Sequence, residues 1–431
     1  MAKKKEEQEQ GQDAPKTMKS SILSRLKKLN PDASLISESA FADIKEWIPT
    51  GNYALNCQIS GSIYKGIPSN RIIGISGPSG TGKTYLALNM AREAQRIGYH
   101  VLYFDTEFAI DVNHVAKFGI DTGEFTLIPE DVIHNVKHQI IEIFEAMKDA
   151  QKAKKDPGKF IIIIDSIGNL KTAKEDADSK LGEHKRDMTR PSEIKSLFRT
   201  ITVQSGKLNV PILFVNHTYT DTTAYVPTDK IAGGSGVMYN PSVNIVLSKS
   251  KLKEETKQSK EANLVQTGII VTSKLEKSRF TKPITVKVQI NFFTGMNKYI
   301  YLENYVDWET CGIQKGTLTK KIEKRPVLDE NGEQVISRGK PKFEEIETNE
   351  IEFVADPNAK TWAVKHLGKN IRLAKDLFTK NVFTPEVLNA LDKKMSSIFV
   401  LPEAVNDDEF DALDDDLEEL GISSIDDGDE E

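Results

Sequence analysis

The sequence predicts an α/β fold: a mostly parallel sheet flanked by helices, with a small C-terminal domain and an acidic tail behind it. Three observations carry this. From Trp47 to about Glu303, short apolar, β-rich runs at 72–76, 100–104, 160–164, 211–215, 243–247 and 267–272 alternate with helical stretches, the pattern of strands buried on both faces. The run Gly77-Pro78-Ser79-Gly80-Thr81-Gly82-Lys83-Thr84 follows the first strand and precedes the helical Tyr85-Leu86-Ala87-Leu88-Asn89-Met90. That is the G-x-x-x-x-G-K-[ST] phosphate loop in its strand–loop–helix setting. A third apolar run, Phe160-Ile161-Ile162-Ile163-Ile164, ends on Asp165, where a doubly covered sheet presents carboxylates to a ligand.

Taken in order, residues 1–16 are a Lys/Glu/Gln-rich extension that composition predicts to be disordered. In the following segment (17–46), Met18, Ile22, Leu23, Leu26 and Leu29 recur at helical spacing between Lys19, Arg25, Lys27 and Lys28, and Pro31 ends the helix. The α/β core is expected over 47–303, with more alternating, antiparallel strands between Ile284 and Tyr301 and an exposed insertion at 251–266. The C-terminal domain, 304–405, opens on a hairpin turn at Asp329-Glu330-Asn331-Gly332 and closes with helices over 362–378 and 385–399. The tail, 406–431, is acidic and expected to be disordered.

Composition narrows the function. Net charge is −6 over 431 residues, but 407–431 carries fourteen Asp/Glu and no Lys or Arg, which leaves +8 on the rest. A basic body with an acidic tail suits a nucleic-acid partner, the tail competing with the polyanion or merely solubilising the chain. The longest apolar run is about five residues against the ~20 that span a bilayer, and no signal peptide opens the chain, so a cytoplasmic protein is expected. Cys57 and Cys311 lie too far apart in sequence to suggest a disulfide framework or a metal knuckle. His134 and His138 share a helix face at metal-ligating spacing, but with no third ligand evident a solvated face is the better reading.

The phosphate loop dictates the chemistry around it. Its backbone N–H groups and the helix start would cradle phosphates, Lys83 would reach the β/γ oxygens, and the Thr84 hydroxyl would hold Mg²⁺. Asp165 is the expected second Mg²⁺ anchor. Asp105 and Glu107 follow another strand; one is a candidate base for the water that attacks the γ-phosphate, and the other caps a helix. Asn216-His217 ends a further strand at the same edge, placed to sense the γ-phosphate and pass its presence into the next loop. Two loops follow these strand ends. One, 169–190, carries Lys171, Lys174, Lys180, Lys185, Arg186 and Arg190; the other, 218–236, holds Thr218, Tyr219, Tyr225, Lys230, Gly233 and Gly234. Flexible amides with cations and aromatic side chains suit a single nucleic-acid strand held without reading its sequence.

At these residues the chain resembles the RecA-like recombinases, and most closely the UvsX-type recombinases of T-even-like phages. The matching runs are Phe104-Asp105-Thr106-Glu107-Phe108, Ile164-Asp165-Ser166-Ile167-Gly168-Asn169-Leu170, Asp187-Met188-Thr189-Arg190, Lys195-Ser196-Leu197-Phe198-Arg199, Asn216-His217-Thr218-Tyr219, Gly233-Gly234-Ser235-Gly236-Val237-Met238-Tyr239 and Glu276-Lys277-Ser278-Arg279. They cover about 45–300. The resemblance implies a RecA-like ATPase core, ATP with Mg²⁺ as cofactors, and strand exchange between single-stranded DNA and homologous duplex. It further implies a homo-oligomeric helical filament, a single-strand-binding protein and a loading mediator as partners, no membrane, and the cytoplasm of a phage-infected host. It makes Glu107 the catalytic carboxylate, His217 the γ-phosphate switch, and 171–190 and 218–236 the DNA loops. Lys277 and Arg279 become cations reaching a neighbour's ATP, and Phe41 a docking residue on the adjacent subunit. ATP over other triphosphates rests on the resemblance alone. Two rivals share the phosphate loop: a ring-shaped RecA-fold helicase, and a DNA-coating filament protein that uses ATP only as an assembly switch.

Overall fold

The computed structural model describes residues 18–36, 39, 41–181, 188–221, 228–254, 265–337 and 340–402. The extension 1–16, the tail 406–431, Lys185, Arg186, Tyr225 and most of the expected insertion lie outside the described residues. The chain divides into two units, Met1–Lys45 and Glu46–Glu431.

The first unit holds helix α1, Met18–Leu29, with Lys27 and Lys28 in its last turn. Its apolar stripe, Ile22, Leu23, Leu26 and Leu29, is exposed within this unit. The helix stops where Asn30 closes the last turn onto the Leu26 carbonyl, and Pro31, with no N–H to donate, follows.

The second unit is built on one large sheet. In chain order its elements are α2 (Tyr53–Ser60), β1 (Ile72–Gly77), α3 (Lys83–Arg96), β2 (Tyr99–Asp105), α4 (Val112–Lys117), β3 (Phe125–Pro129), α5 (Ile133–Lys152) and β4 (Lys159–Asp165). There follow α6 (Ala173–Lys180), α7 (Arg190–Leu208), β5 (Ile212–Asp221), β6 (Thr228–Ile231), α8 (Ser235–Tyr239), β7 (Val243–Glu254), β8 (Val265–Ser278), β9 (Val286–Asn291) and β10 (Gly295–Met296). The sheet order is β10-β9-β8-β7-β1-β5-β4-β2-β3, with β6 paired to β5. From β7 to β3 all neighbours are parallel, while β8, β9 and β10 add antiparallel strands at one side; the alternation after Ile284 predicts this for β9 and β10, and β8, read with the parallel run, joins them.

The central strands read as unbroken apolar runs because both faces are covered. Ile73, Ile75, Val101, Tyr103, Ile161, Ile163, Leu213 and Val215 enter one buried cluster with α2 and α3. Their neighbours Ile72, Leu102, Phe104, Ile162, Ile164, Ile212 and Phe214 enter the other, under α5 and α7. Each such side chain contributes about 1.5–3 kcal/mol by leaving water. The strand register, and with it the edge on which every strand ends, is therefore held from two sides.

Beyond the sheet, β11 (Ile313–Pro326) and β12 (Phe343–Ala355) form a long antiparallel ribbon, and the Asp329–Gly332 turn is present, with Gly332 N–H donating to the Asp329 carbonyl. The helix expected over 362–378 is corrected. Trp362–Val364 is strand β13, paired with Ile313–Lys315, and Lys369–Ile371 is strand β14; a helix, α9, covers just Ala374–Leu377. Pairing to β11 overrides the local pattern, and Gly368, at φ 56°, makes the reversal between the two strands. The expected insertion is shorter than 251–266, since β7 runs to Glu254 and β8 starts at Val265. Strand β3 was not foreseen. Helix α10 (Pro385–Phe399) falls where expected, and its Val387, Leu388, Leu391, Met395 and Phe399 join the same buried cluster as α2 and α3. Asp392 fixes it there by accepting hydrogen bonds from the Ile63 N–H (2.7 Å) and the Ser62 hydroxyl (2.9 Å). Among the described residues no helix is long and apolar enough to cross a membrane.

Candidate nucleotide site and nucleic-acid-facing edge

Strands β1, β4, β2 and β5 are parallel, so their carboxyl ends open on one edge, and the residues singled out from the sequence meet there. The loop leaves β1 at Gly77 and turns into α3 with Gly82 at the cap position and no side chain capping the helix. Its first-turn N–H groups therefore point into the loop, an anion site by dipole and by unpaired donors. Thr81 Oγ1 donates to the Pro78 carbonyl at 2.8 Å. Lys83 Nζ donates to the carbonyls of Gly77 and Pro78, each at 2.9 Å. Burial pushes its pKa down, against the pull of Asp165 and Glu107.

Asp165 sits behind the loop. Its Oδ2 accepts from Thr84 Oγ1 (2.6 Å) and from the Tyr103 hydroxyl (2.7 Å). Burial raises the Asp165 carboxyl above its ordinary range, partly opposed by these two donors. Burial beside Asp165 also pushes the Tyr103 hydroxyl far up, so it remains a neutral donor. A hydroxyl and a buried carboxylate in contact form a hard oxygen donor set, which fits Mg²⁺.

The two carboxylates after β2 divide the roles left open by the sequence. Asp105 is buried and accepts the backbone N–H groups of Glu107 and Ile110, both at 3.1 Å, so it shapes the turn. Glu107 faces the site. Its Oε1 accepts from Ser166 Oγ at 2.9 Å and meets His217 Nε2 at 3.0 Å. Ser166 is held in turn by Thr106, whose hydroxyl accepts the Ser166 N–H (2.8 Å) and donates to its carbonyl (2.9 Å). Gly168 lets the His217 ring sit this close, because a Cβ there would stand 2.9 Å from His217 Cδ2 and 3.3 Å from Asn216 Oδ1, and the ring would have to shift. Asn216 Nδ2 donates to the Ala232 carbonyl at 2.7 Å, and Ala232 N–H donates to the His217 carbonyl at 3.0 Å. The strand end carrying His217 is thereby tied to the far arm of the 218–236 segment.

The described arms of that segment pair as antiparallel strands, Thr218 with Ile231 and Tyr219 with Lys230, leaving Tyr219 55% exposed. Gly233 and Gly234 follow, and at Gly236 a Cβ would approach the Lys195 Cα of α7 to 2.8 Å. The first expected DNA loop is described over 171–181 and 188–190. Its start is helix α6, opened by a reciprocal capping box between Thr172 and Glu175. Lys171 is paired with Asp131 (3.1 Å) and Asp176 (2.8 Å), Lys174 is exposed, and an Arg190 Nη2–H donates to the Gly168 carbonyl.

Lys277 and Arg279 lie elsewhere. Arg279 N–H donates to the Ser242 carbonyl, and Ser242 N–H to the Ile72 carbonyl, which puts both cations at the amino end of β1, opposite the phosphate loop. Lys277 Nζ donates to the Tyr239 carbonyl. Arg71 completes a cationic cluster: burial and then Arg279 lower the pKa of both Arg71 and Lys277. Among the described residues none of the three has a carboxylate within ion-pair distance.

Sequence reasoning missed Ser166, Tyr103, Arg71 and Lys249, the last donating from β7 to the Ser79 carbonyl at 3.0 Å. It also missed a cavity of about 790 Å³ beside the loop, lined by Gly80, Gly82, Tyr85, His114, Phe118 and Phe292 among others. His134 and His138 are exposed on α5, His138 standing 3.9 Å from Glu142. No group of three His, Cys, Asp or Glu residues among those described is placed to hold a metal ion.

With the geometry in place, comparison with known proteins is informative. The chain is 29% identical over 260 residues to the recombination and repair protein of Enterobacteria phage T4, an alignment covering 60% of this chain and 61% of that one. It is 26% identical over 315 residues to Protein RecA of Thermus aquaticus, covering 73% and 84%, and 26% identical over 254 residues to Protein RecA of Helicobacter hepaticus, covering 58% and 67%. The chain thus spans about three fifths of the phage relative's length. The family model for the RecA N-terminal domain matches residues 20–297, more than half of the sequence, and the chain belongs to that family.

Proposed function

We propose that this chain is an ATP-dependent DNA strand-exchange recombinase that hydrolyses ATP within a filament of its own copies on single-stranded DNA. One observation carries the reading. Lys83, Thr84, Asp165, Glu107 and His217 converge at the carboxyl edge of the sheet, while Lys277 and Arg279 stand at its amino edge. The cations are out of reach of their own loop, and with no carboxylate partner among the described residues they could serve the nucleotide of another copy. Such a cation supplied in trans is worth about 10³–10⁵ in rate, so turnover would require assembly.

Each residue then has a stated task. Lys83 exchanges the carbonyls of Gly77 and Pro78 for β/γ oxygens, and the cavity under His114 and Phe118 takes the base and sugar. Thr84 and Asp165 would hold Mg²⁺, which neutralises charge on the phosphates when bound. Glu107, one oxygen occupied by Ser166 and His217, has its other oxygen to orient and deprotonate water. His217 can follow the γ-phosphate by leaving Glu107, and Asn216 transmits that movement to the hairpin bearing Tyr219 and Lys230. That hairpin, with Lys174, Arg190 and the flanking 171–190 segment, would take the phosphates and bases of a strand. The helicase reading shares these parts without an observation that favours it. The assembly-switch reading sits badly with a carboxylate so specifically held as Glu107.

The test is ATP hydrolysis by the purified chain with and without single-stranded DNA over a range of protein concentrations. Stimulation rising cooperatively with concentration is expected. Turnover indifferent to DNA refutes the reading; duplex unwinding without strand exchange moves it to the helicase.

A further inference from the structure

The phosphate loop is touched by a cation its motif does not contain. Val246 is in register with Ser76, so residues 247–249 of β7 run past the end of β1 and along the loop. The closeness is severe: a Cβ on Gly77 would stand 2.7 Å from the Leu247 carbonyl. Two residues on, Lys249 Nζ donates to the Ser79 carbonyl at 3.0 Å. Gly80, at φ 70°, leaves the room for this head group, since a Cβ there would lie 2.5 Å from Nζ. Although the Lys249 residue is exposed overall, its ammonium is seated in the loop.

We propose that Lys249 is a second phosphate-binding cation of this site, which passes from the Ser79 carbonyl to the phosphate chain when nucleotide enters. The inference rests on the loop being a nucleotide site. Three consecutive loop carbonyls, those of Gly77, Pro78 and Ser79, are held by two ammonium groups, Lys83 on the first two and Lys249 on the third. Hydrogen bonds from ammonium to phosphate are shorter and about twice as strong as those to neutral carbonyls, so an arriving polyphosphate displaces these contacts. The two ammoniums are also close enough to repel: after burial, Lys249 is among the causes that lower the Lys83 pKa. An anion between them relieves that repulsion. Among the described residues no carboxylate lies within ion-pair distance of Lys249 to compete for it.

The experiment titrates the full chain, without DNA, with N-methylanthraniloyl ATP and ADP in the presence of Mg²⁺. Lys249→Ala should weaken ATP binding about ten-fold, the loss of one charge-assisted contact in a partly wet site, and Lys249→Arg should retain affinity within about three-fold. Unchanged Kd for both nucleotides in Lys249→Ala, while Lys83→Ala loses binding, overturns the proposal and leaves the loop's role intact. In a parallel titration with single-stranded DNA, a Lys249→Ala variant that loses DNA affinity at unchanged nucleotide Kd overturns it as well, making the residue a DNA cation. Lys83→Ala binding nucleotide as tightly as the parent chain is a different failure, that of the nucleotide site itself.

Discussion

A mixing experiment tests whether the active site is shared. Arg279 is anchored beside Ile72, at the start of β1, and the phosphate loop begins at Gly77, at its end. Five residues of strand at ~3.3 Å each put about 17 Å between them. An arginine side chain reaches about 7 Å from its Cα, so Arg279 cannot touch the nucleotide held by its own loop. Two inactive variants follow from this: Lys83→Ala, with an intact cation but a dead loop, and Arg279→Ala, with an intact loop but no cation. If sites form between copies, an Arg279→Ala loop next to a Lys83→Ala cation is complete. In an equimolar random mixture that pairing occurs at about one interface in four, so DNA-stimulated turnover should return to about a quarter of the parent rate. The assay is steady-state ATPase on single-stranded DNA, with the two variants mixed before the DNA is added. Additive, near-zero turnover in the mixture refutes sharing, and full turnover by Arg279→Ala alone refutes any role for the cation.

Glu107→Gln keeps the oxygen that accepts from Ser166 but removes the base; nucleotide binding should persist while turnover falls about 10²–10⁴-fold, and a modest loss in single-turnover assays refutes the assignment. Asp165→Asn bears on pH. A carboxyl raised by burial binds its proton more tightly folded than unfolded, so its contribution to stability is present below the unfolded pKa and lost as pH rises through the folded one. At neutral pH, without nucleotide, the Asn variant should therefore melt higher than the parent, with the gap closing as pH falls to the unfolded carboxyl range, although Mg²⁺-dependent ATP binding suffers. A gap that does not vary with pH, measured by thermal unfolding, excludes desolvation of Asp165 as its cause.

The sheet and the loop were legible because their signals are local. Runs such as Phe160-Ile161-Ile162-Ile163-Ile164 admit few alternatives once both faces must be covered, and the phosphate loop announces itself by spacing. The misread elements depend on distant partners. Trp362-Ala363-Val364 becomes a strand because Ile313–Lys315 offers an edge, and Phe125–Pro129 because β2 does. Helix α6 did carry a readable mark, Thr172-Ala173-Lys174-Glu175, a capping box overlooked inside a segment read as loop. At the site, Asp165, Glu107 and His217 could be singled out because strand ends mark them, and the fold brings them to one edge. Lys249 and Arg71 were not, since a lysine in the charged end of a strand has a task only through what the neighbouring strand places beside it.

The same dependence on neighbours explains how one binding event can reach two places. Glu107 Oε1 is shared by Ser166, fixed through Thr106, and by His217, whose strand end is fixed through Ala232 to the hairpin. Ser166 and Thr106 are buried, whereas the His217 side chain is 35% exposed, so the histidine has more room to change partners than they do. Under the proposed function, a γ-phosphate competing for His217 would leave Glu107 held by Ser166 alone, its carboxylate still oriented but no longer covered. On that reading, the event that frees the base would also pull on the hairpin carrying Tyr219 and Lys230. On the proposed function, hydrolysis and strand binding would be coupled through this one imidazole rather than through a rearrangement of the sheet, whose two buried layers allow little movement.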